Sequence, residues 1–129
     1  MIHFDTNALV ALPLWAQDDH PAVQSVLDGE PAAVCSLVWY EFLSGPVEES
    51  EVNLARAFVA DQILAIEDAD ATLAAKLFNA TGRKRALKTD ALIAACAIRA
   101  DALFVTVNRS DFEPFVAHGL RVMPNVDVP

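Results

Sequence analysis

Cysteine is scarce in this chain: there are two, Cys35 and Cys96, far apart and each inside an apolar segment. That excludes a disulfide framework and a thiolate metal cluster, and both read as small core hydrophobes. The three histidines fall in neither the HExxH spacing of zinc proteases nor a Cys/His zinc pattern. Positive charge is also short, with 9 Lys and Arg against 18 Asp and Glu and a formal net charge of −9. A general nucleic-acid binder would instead carry a broad basic face. No apolar run approaches the roughly 18 uncharged residues that span a bilayer. The opening Met1-Ile2-His3-Phe4-Asp5 has no cationic stretch and puts an acid where a signal peptide would be apolar. The expectation is a cytoplasmic protein with no membrane association. Internal repeats, low-complexity tracts and linkers are absent too, so the 129 residues read as one domain, 1–129.

What is present is apolar and acidic. At 54% hydrophobic residues the chain can bury a substantial core. Four acids stand out by context: Asp5 in IHFDTNALVAL, Glu41 in SLVWYEFLS, Asp90 in KTDALIAACAIRA and Asp111 in FVTVNRSDFEPF. An ionised carboxylate in or beside an apolar segment is costly unless something compensates it. Each acid has an ordinary explanation. Asp5 can cap a helix, Glu41 can face solvent on a narrow stripe, Asp90 can complement a helix dipole beside a capping Thr89, and Asp111 can open a helix near Asn108 and Ser110. Four such coincidences are harder to accept than one shared cause. A divalent cation between them is that cause, and an all-oxygen donor set favours Mg²⁺ or Mn²⁺. Thr106 and Asn108, just past a strand, supply a hydroxyl and an amide beside Asp111. One local basic group, Arg83, Lys84, Arg85 and Lys88, precedes Asp90; it reads either as a solvated loop or as a phosphate-steering surface.

Hydrophobic periodicity and punctuation predict short strands alternating with helices. Strands are expected at Ile2 to Phe4, Ala32 to Cys35, Leu64 to Ile66, Ala102 to Val105 and Leu120 to Met123. Helices are expected after Asp5 to Leu12, stopped by Pro13; from His20 to Leu27; from Leu37 to Leu43 capped by Ser36; between Val47 and Gln62; from Asp68 or Asp70; from Ala91 to Ile98 capped by Thr89; and around Asp111 to Val116. This alternation implies an α/β fold with a parallel sheet covered on both faces. Ligand sites in such sheets lie beyond the carboxyl ends of the strands. That edge can gather all four acids.

With those residues in place, the chain resembles the PIN-domain ribonucleases, in particular the VapC-type toxins of bacterial toxin–antitoxin pairs. The resemblance runs through FDTNAL, the helix with Glu41, TDALIAACAIRADALFVTVNRSDF and GLRVMPN. It implies a Rossmann-like α/β/α sandwich with a central parallel sheet, usually dimeric, and a small antitoxin partner. It also implies that Asp5, Glu41, Asp90 and Asp111 form the acidic quartet, with Thr6, Asn7, Thr106 and Asn108 in support. Asp5, Asp90 and Asp111 are then the direct metal ligands for hydrolysis of an RNA phosphodiester. Two other readings use the same acids: a stand-alone PIN nuclease in RNA maturation, and a receiver-like signalling module. The receiver class needs a late-strand Lys, and Thr106 to Asp111 has none.

Overall fold

The computed structural model describes residues 1–124, so Asn125, the last residue of GLRVMPN, lies outside the described residues. Five short strands, β1 (Ile2–Phe4), β2 (Ala32–Cys35), β3 (Ile63–Leu64), β4 (Leu103–Val105) and β5 (Arg121–Val122), form one sheet in the order β3-β2-β1-β4-β5. Every pairing is parallel. Among the described residues seven α-helices connect them: α1 (Thr6–Gln17), α2 (Pro21–Leu27), α3 (Ser36–Leu43), α4 (Glu49–Phe58), α5 (Asp68–Ala80), α6 (Lys88–Arg99) and α7 (Arg109–Val116). A 3₁₀ turn, Arg85–Leu87, leads into α6.

Alternation along β1 sorts the helices into two layers. Phe4 meets Phe58 of α4 edge-on at 5.3 Å, and α1 packs against α3 and α4 on that side. His3 points the other way, into a space bordered by Asp70 of α5 and by Cys96 and Arg99 of α6. Phe104, opposite His3 in β4, meets Phe112 of α7 on that same side. The result is the expected α/β/α sandwich. Its central strands are buried throughout, as a sheet covered on both faces requires.

Several boundaries differ from the sequence reading, each for a local reason. Pro13 does not stop α1, which runs on to Gln17. An interior proline forfeits a backbone hydrogen bond and crowds the preceding turn, at about 3 kcal/mol. The extra turn buries Trp15, whose ring stacks on His20 at 4.0 Å. Cys35, not Ser36, is the N-cap of α3. Thr89 caps nothing: the 3₁₀ turn delivers the chain already coiled, Leu87 is the N-cap of α6 and Thr89 lies in its first turn. α4 is shorter than the periodic stretch, starting where the Glu51 side chain accepts the Glu48 N–H at 3.1 Å. It ends before Ala60 and Asp61, which adopt φ of 50° and 60°. α5 is entered through Glu67, whose N–H donates to Asp70 at 2.8 Å. β3 is one residue earlier and two residues long, and β5 is confined to Arg121–Val122.

Candidate active site

The chain builds the sheet outward from β1 through β2 to β3, then returns to the other side of β1 with β4 and β5. The strand order therefore reverses between β1 and β4, and the edge beyond their carboxyl ends is where such sheets place a ligand. Asp5 and Thr106 stand side by side there. Phe4 pairs with Val105, and the Asp5 N–H continues the ladder to the Val105 carbonyl at 2.9 Å.

Asp5 does two things at once. It is the N-cap of α1, with Oδ1 accepting the Thr6 N–H at 2.8 Å. Its Oδ2 accepts the Thr106 hydroxyl at 2.8 Å, and that hydroxyl in turn accepts the Asn108 N–H at 3.0 Å. Thr106 is 1% exposed and Asp5 5%, so this relay is built into the core. Capping therefore accounts for one carboxylate oxygen, and the second is held by Thr106, just past β4 and 101 positions away.

Glu41 reaches the same place from α3. Among the described residues no ion pair involves it; Oε1 accepts the Thr6 hydroxyl at 2.6 Å, which ties α3 to the head of α1. Asp90 sits half-buried in the first turn of α6, and Asp111 exposed in the first turn of α7. Two of these carboxyls, Asp5 and Asp90, feel the charge of the other acids. Burial pushes the Asp90 carboxyl up to about 6, and the charges of Asp5, Asp111 and Glu41 push the same way. Asp5 is raised chiefly by burial, held back by its hydrogen bonds to Thr106 and Thr6, and raised further by Glu41 and Asp111. Among the described residues, the ion pairs join Glu30, Asp61, Asp70 and Asp101 to cations, and none involves the four site acids.

Among the described residues these four acids thus carry negative charge without an ion-paired partner. An all-carboxylate oxygen set of this kind fits a hard divalent cation. Among the described residues no group of three or more His, Cys, Asp or Glu side chains is drawn together closely enough to hold a metal ion.

Of the supporting residues, Thr6 and Thr106 contact acids directly. Asn7 lies in the first turn of α1 and Asn108 is the N-cap of α7; among the described residues neither side chain is hydrogen-bonded to the quartet. Arg83, Lys84, Arg85 and Lys88 are all exposed at the approach to α6. Arg83 is hydrogen-bonded to Asn79, and Arg83 and Lys88 lie over the Phe78 ring at 5.6 and 5.8 Å. The Thr6–Glu41 pairing has no signature in sequence, because it joins residues 35 apart.

The PIN domain family matches residues 2–113. This chain belongs to the PIN domain family. PIN domains are nucleases that generally use divalent metal ions, and membership supports a hydrolase acting on nucleic acid. Among solved structures, this PIN domain is similar to FitAcB from Neisseria gonorrhoeae, at 18% identity and a TM-score of 0.66, with 95% of this chain and 96% of that one covered. It is also similar to a toxin–antitoxin complex from Klebsiella pneumoniae, at 24% identity and a TM-score of 0.66, covering 87% and 90%. A third is VapBC2 from Rickettsia felis bound to a DNA fragment from their promoter, at 19% identity and a TM-score of 0.67, covering 95% and 98%. No curated protein matches the chain. At these identities the structural likeness speaks for the fold.

Proposed function

We propose that this PIN domain is a Mg²⁺-dependent endoribonuclease, with Mn²⁺ able to substitute, and the toxin member of a VapBC-type toxin–antitoxin pair. The observation that carries the chemistry is a set of four carboxylates from four elements, whose charges help raise the Asp5 and Asp90 carboxyls and none of which is ion-paired among the described residues. Asp5, Asp90 and Asp111 would hold the ion. When bound, a divalent cation supplies Lewis acidity toward the phosphodiester and neutralises charge that develops on it. The remaining work belongs to the chain. The Thr6 N–H and the Thr106 hydroxyl fix both oxygens of Asp5 before any ligand arrives, so little reorganisation is left to the reaction. The Thr6 hydroxyl occupies Oε1 of Glu41, leaving Oε2 to orient an attacking water and take its proton. Arg83, Lys84, Arg85 and Lys88 contact phosphates flanking the scissile bond, giving an otherwise acidic molecule a local hold on RNA.

Two features support a protein partner. The similar solved structures include a toxin–antitoxin complex. On α1, α3 and α4, the residues Val10, Leu14, Tyr40, Leu43 and Leu54 are exposed; apolar side chains of that number on helices that pack together suit an antitoxin segment or a second copy of a homodimer. A cytoplasmic location agrees with the described residues having no helix long and apolar enough to cross a membrane.

The deciding experiment is cleavage of total RNA with and without Mg²⁺, followed by end mapping. Cleavage that is lost in EDTA and restored by Mg²⁺ or Mn²⁺ is expected. Asp5→Asn and Asp90→Asn should keep the fold and lose activity by two or more orders of magnitude, as removal of a key electrostatic group does. Full activity in chelator, or in both variants, would overturn the assignment. Growth arrest on expression, relieved by a co-expressed neighbouring small protein, would separate a toxin from a stand-alone RNA-maturation nuclease.

A further inference from the structure

Between Asp70 and Asp90 the chain has no acid, although it carries 18 in all. Five of its 9 Lys and Arg residues fall in that stretch: Lys76, Arg83, Lys84, Arg85 and Lys88. All five are exposed. Arg56, Arg99 and Arg121 are ion-paired with Asp61, Asp70 and Asp101, whereas none of the five is ion-paired among the described residues. Beside them, between α5 and α6, lies a cavity of about 370 Å³. Pockets that hold small ligands start at roughly 300 Å³. Ala71, Ala74, Ala75 and Phe78 of α5 and Leu92 of α6 give it apolar walls, and Asn79, Arg83 and Lys88 add polar groups. The α5 residues follow the three- and four-residue spacing that places side chains on one helix face. Phe78 is half-buried, and two cations lie over its ring, Arg83 at 5.6 Å and Lys88 at 5.8 Å.

We propose that this cavity is a nucleobase subsite, in which a base of the RNA substrate stacks on Phe78 while Arg83 and Lys88 hold the phosphates beside it. The inference rests on the nuclease reading for the identity of the polymer, and deepens it by giving the substrate a base contact as well as phosphate contacts. Two demands select the occupant. It must be negative, because the cations around the cavity lack acidic partners. It must also offer a flat apolar face, because what it meets is an aromatic ring between alanine and leucine walls. Inorganic anions and acidic peptides meet the first demand and leave the ring unmatched. A nucleotide meets both, and every base has a π-face that stacks on an aromatic side chain. In the free chain the two cations lie over the ring themselves. A base takes their place there, and its phosphates keep them close.

The position suits a nucleotide next to the scissile bond. Lys88 and Asp90 share the first turn of α6. Two residues along a helix differ by about 200° around the axis and about 3 Å along it. The cavity and the Asp90 carboxylate therefore flank one helix end from roughly opposite sides. An RNA strand crossing that end presents its scissile phosphate to Asp90 and drops a neighbouring base onto Phe78.

The test reads binding apart from cleavage. The full chain, isotope-labelled and in EDTA, is titrated by NMR with AMP, ribose 5-phosphate and inorganic phosphate. AMP should shift the amides around Phe78, Arg83, Lys88 and Leu92, and should bind more tightly than the two probes that lack a base. Phe78→Leu should weaken AMP binding by roughly 5- to 150-fold, the worth of one base–aromatic stack, and leave ribose 5-phosphate unchanged. Phe78→Trp should keep AMP binding, since it preserves a flat ring. AMP that binds no better than ribose 5-phosphate, shifts confined to other residues, or an indifferent Phe78→Leu would overturn the subsite, even with RNA cleaved in Mg²⁺. Tighter binding of oligoglutamate at the same amides, or a dimer that covers them, would overturn it as well. Base-dependent shifts at the cavity without RNA cleavage in Mg²⁺ would instead remove the nuclease reading and keep a nucleotide site. The shift map of the unmutated chain decides between these outcomes even if a Phe78 variant fails to fold.

Discussion

His3 and Asp90 illustrate how opposed titrations hide in a single stability curve. Burial, aided by the nearby N-terminal amine, lowers His3 from 6.5 to about 4, with Asp70 acting the other way. Between those values the unfolded chain binds a proton that the folded chain refuses, so stability rises with pH, by on the order of 3 kcal/mol in total. Asp90 has the opposite sign. Its carboxyl, raised from 3.8 to about 6, holds a proton in the folded state that the unfolded chain releases, so stability falls as pH rises through that window. Asp5 is raised as well and adds to the fall. The two trends partly cancel in the unmutated protein. In divalent-free buffer, Asp90→Asn should gain stability with pH more steeply between about pH 4 and 6, and should be the more stable protein at neutral pH. Urea denaturation at a series of pH values measures this; parallel curves for the two proteins would contradict a carboxyl raised by burial and neighbouring charge. At this scale the sequence singled out four acids by their context and was silent about their partners. Asp5 beside an apolar strand was readable as both cap and ligand, and it serves as the cap with one oxygen. That Thr106 takes the other, and Thr6 takes Glu41, depends on contacts across 101 and 35 residues that no local pattern encodes.

Among the elements, every expected strand and helix exists, and the errors sit at boundaries where tertiary burial or an unrecognised turn outweighed a local rule. Thr89 looked like a cap only because the 3₁₀ turn before it left no periodic trace. Pro13 is the sharper case. It sits between the buried Leu12 and the nearby Trp15, and α1 continues through it because ending there would expose that face. The helix therefore carries an internal defect that burial offsets. Pro13→Ala should restore the missing N–H donor and relieve the crowding, stabilising the protein by roughly 1–3 kcal/mol, less whatever the half-buried ring contributes by packing. Nuclease activity should be unchanged, since Pro13 lies in the second half of α1, away from Asp5. A raised denaturation midpoint at constant m-value supports this; a lowered midpoint would mean that the ring's packing exceeds its backbone cost.

For the molecule as a whole, the difficulty is how a chain of net charge −9 approaches a polyanion. Long-range repulsion should slow encounter at low salt, while the exposed group Arg83, Lys84, Arg85 and Lys88 offers one local attraction on the approach to the helix that carries Asp90. Counterion release by phosphate contacts sets the salt slope of binding, at about −0.7 per neutralised phosphate on single strands. Replacing all four with Gln should therefore weaken RNA binding and flatten log K against log salt by roughly 2 to 3 if most of them touch phosphate. Metal binding, read by the rise in Tm on adding Mg²⁺, should survive the change, because none of the four is a quartet member. Arg83 and Lys88 also cover the Phe78 ring, so Tm without metal should drop modestly, by the worth of exposed cation–π contacts of about 0.5–1 kcal/mol each. An unaltered salt slope with that Tm drop would make the basic group a lid over Phe78, and would place RNA capture on the cation and the strand-end edge instead.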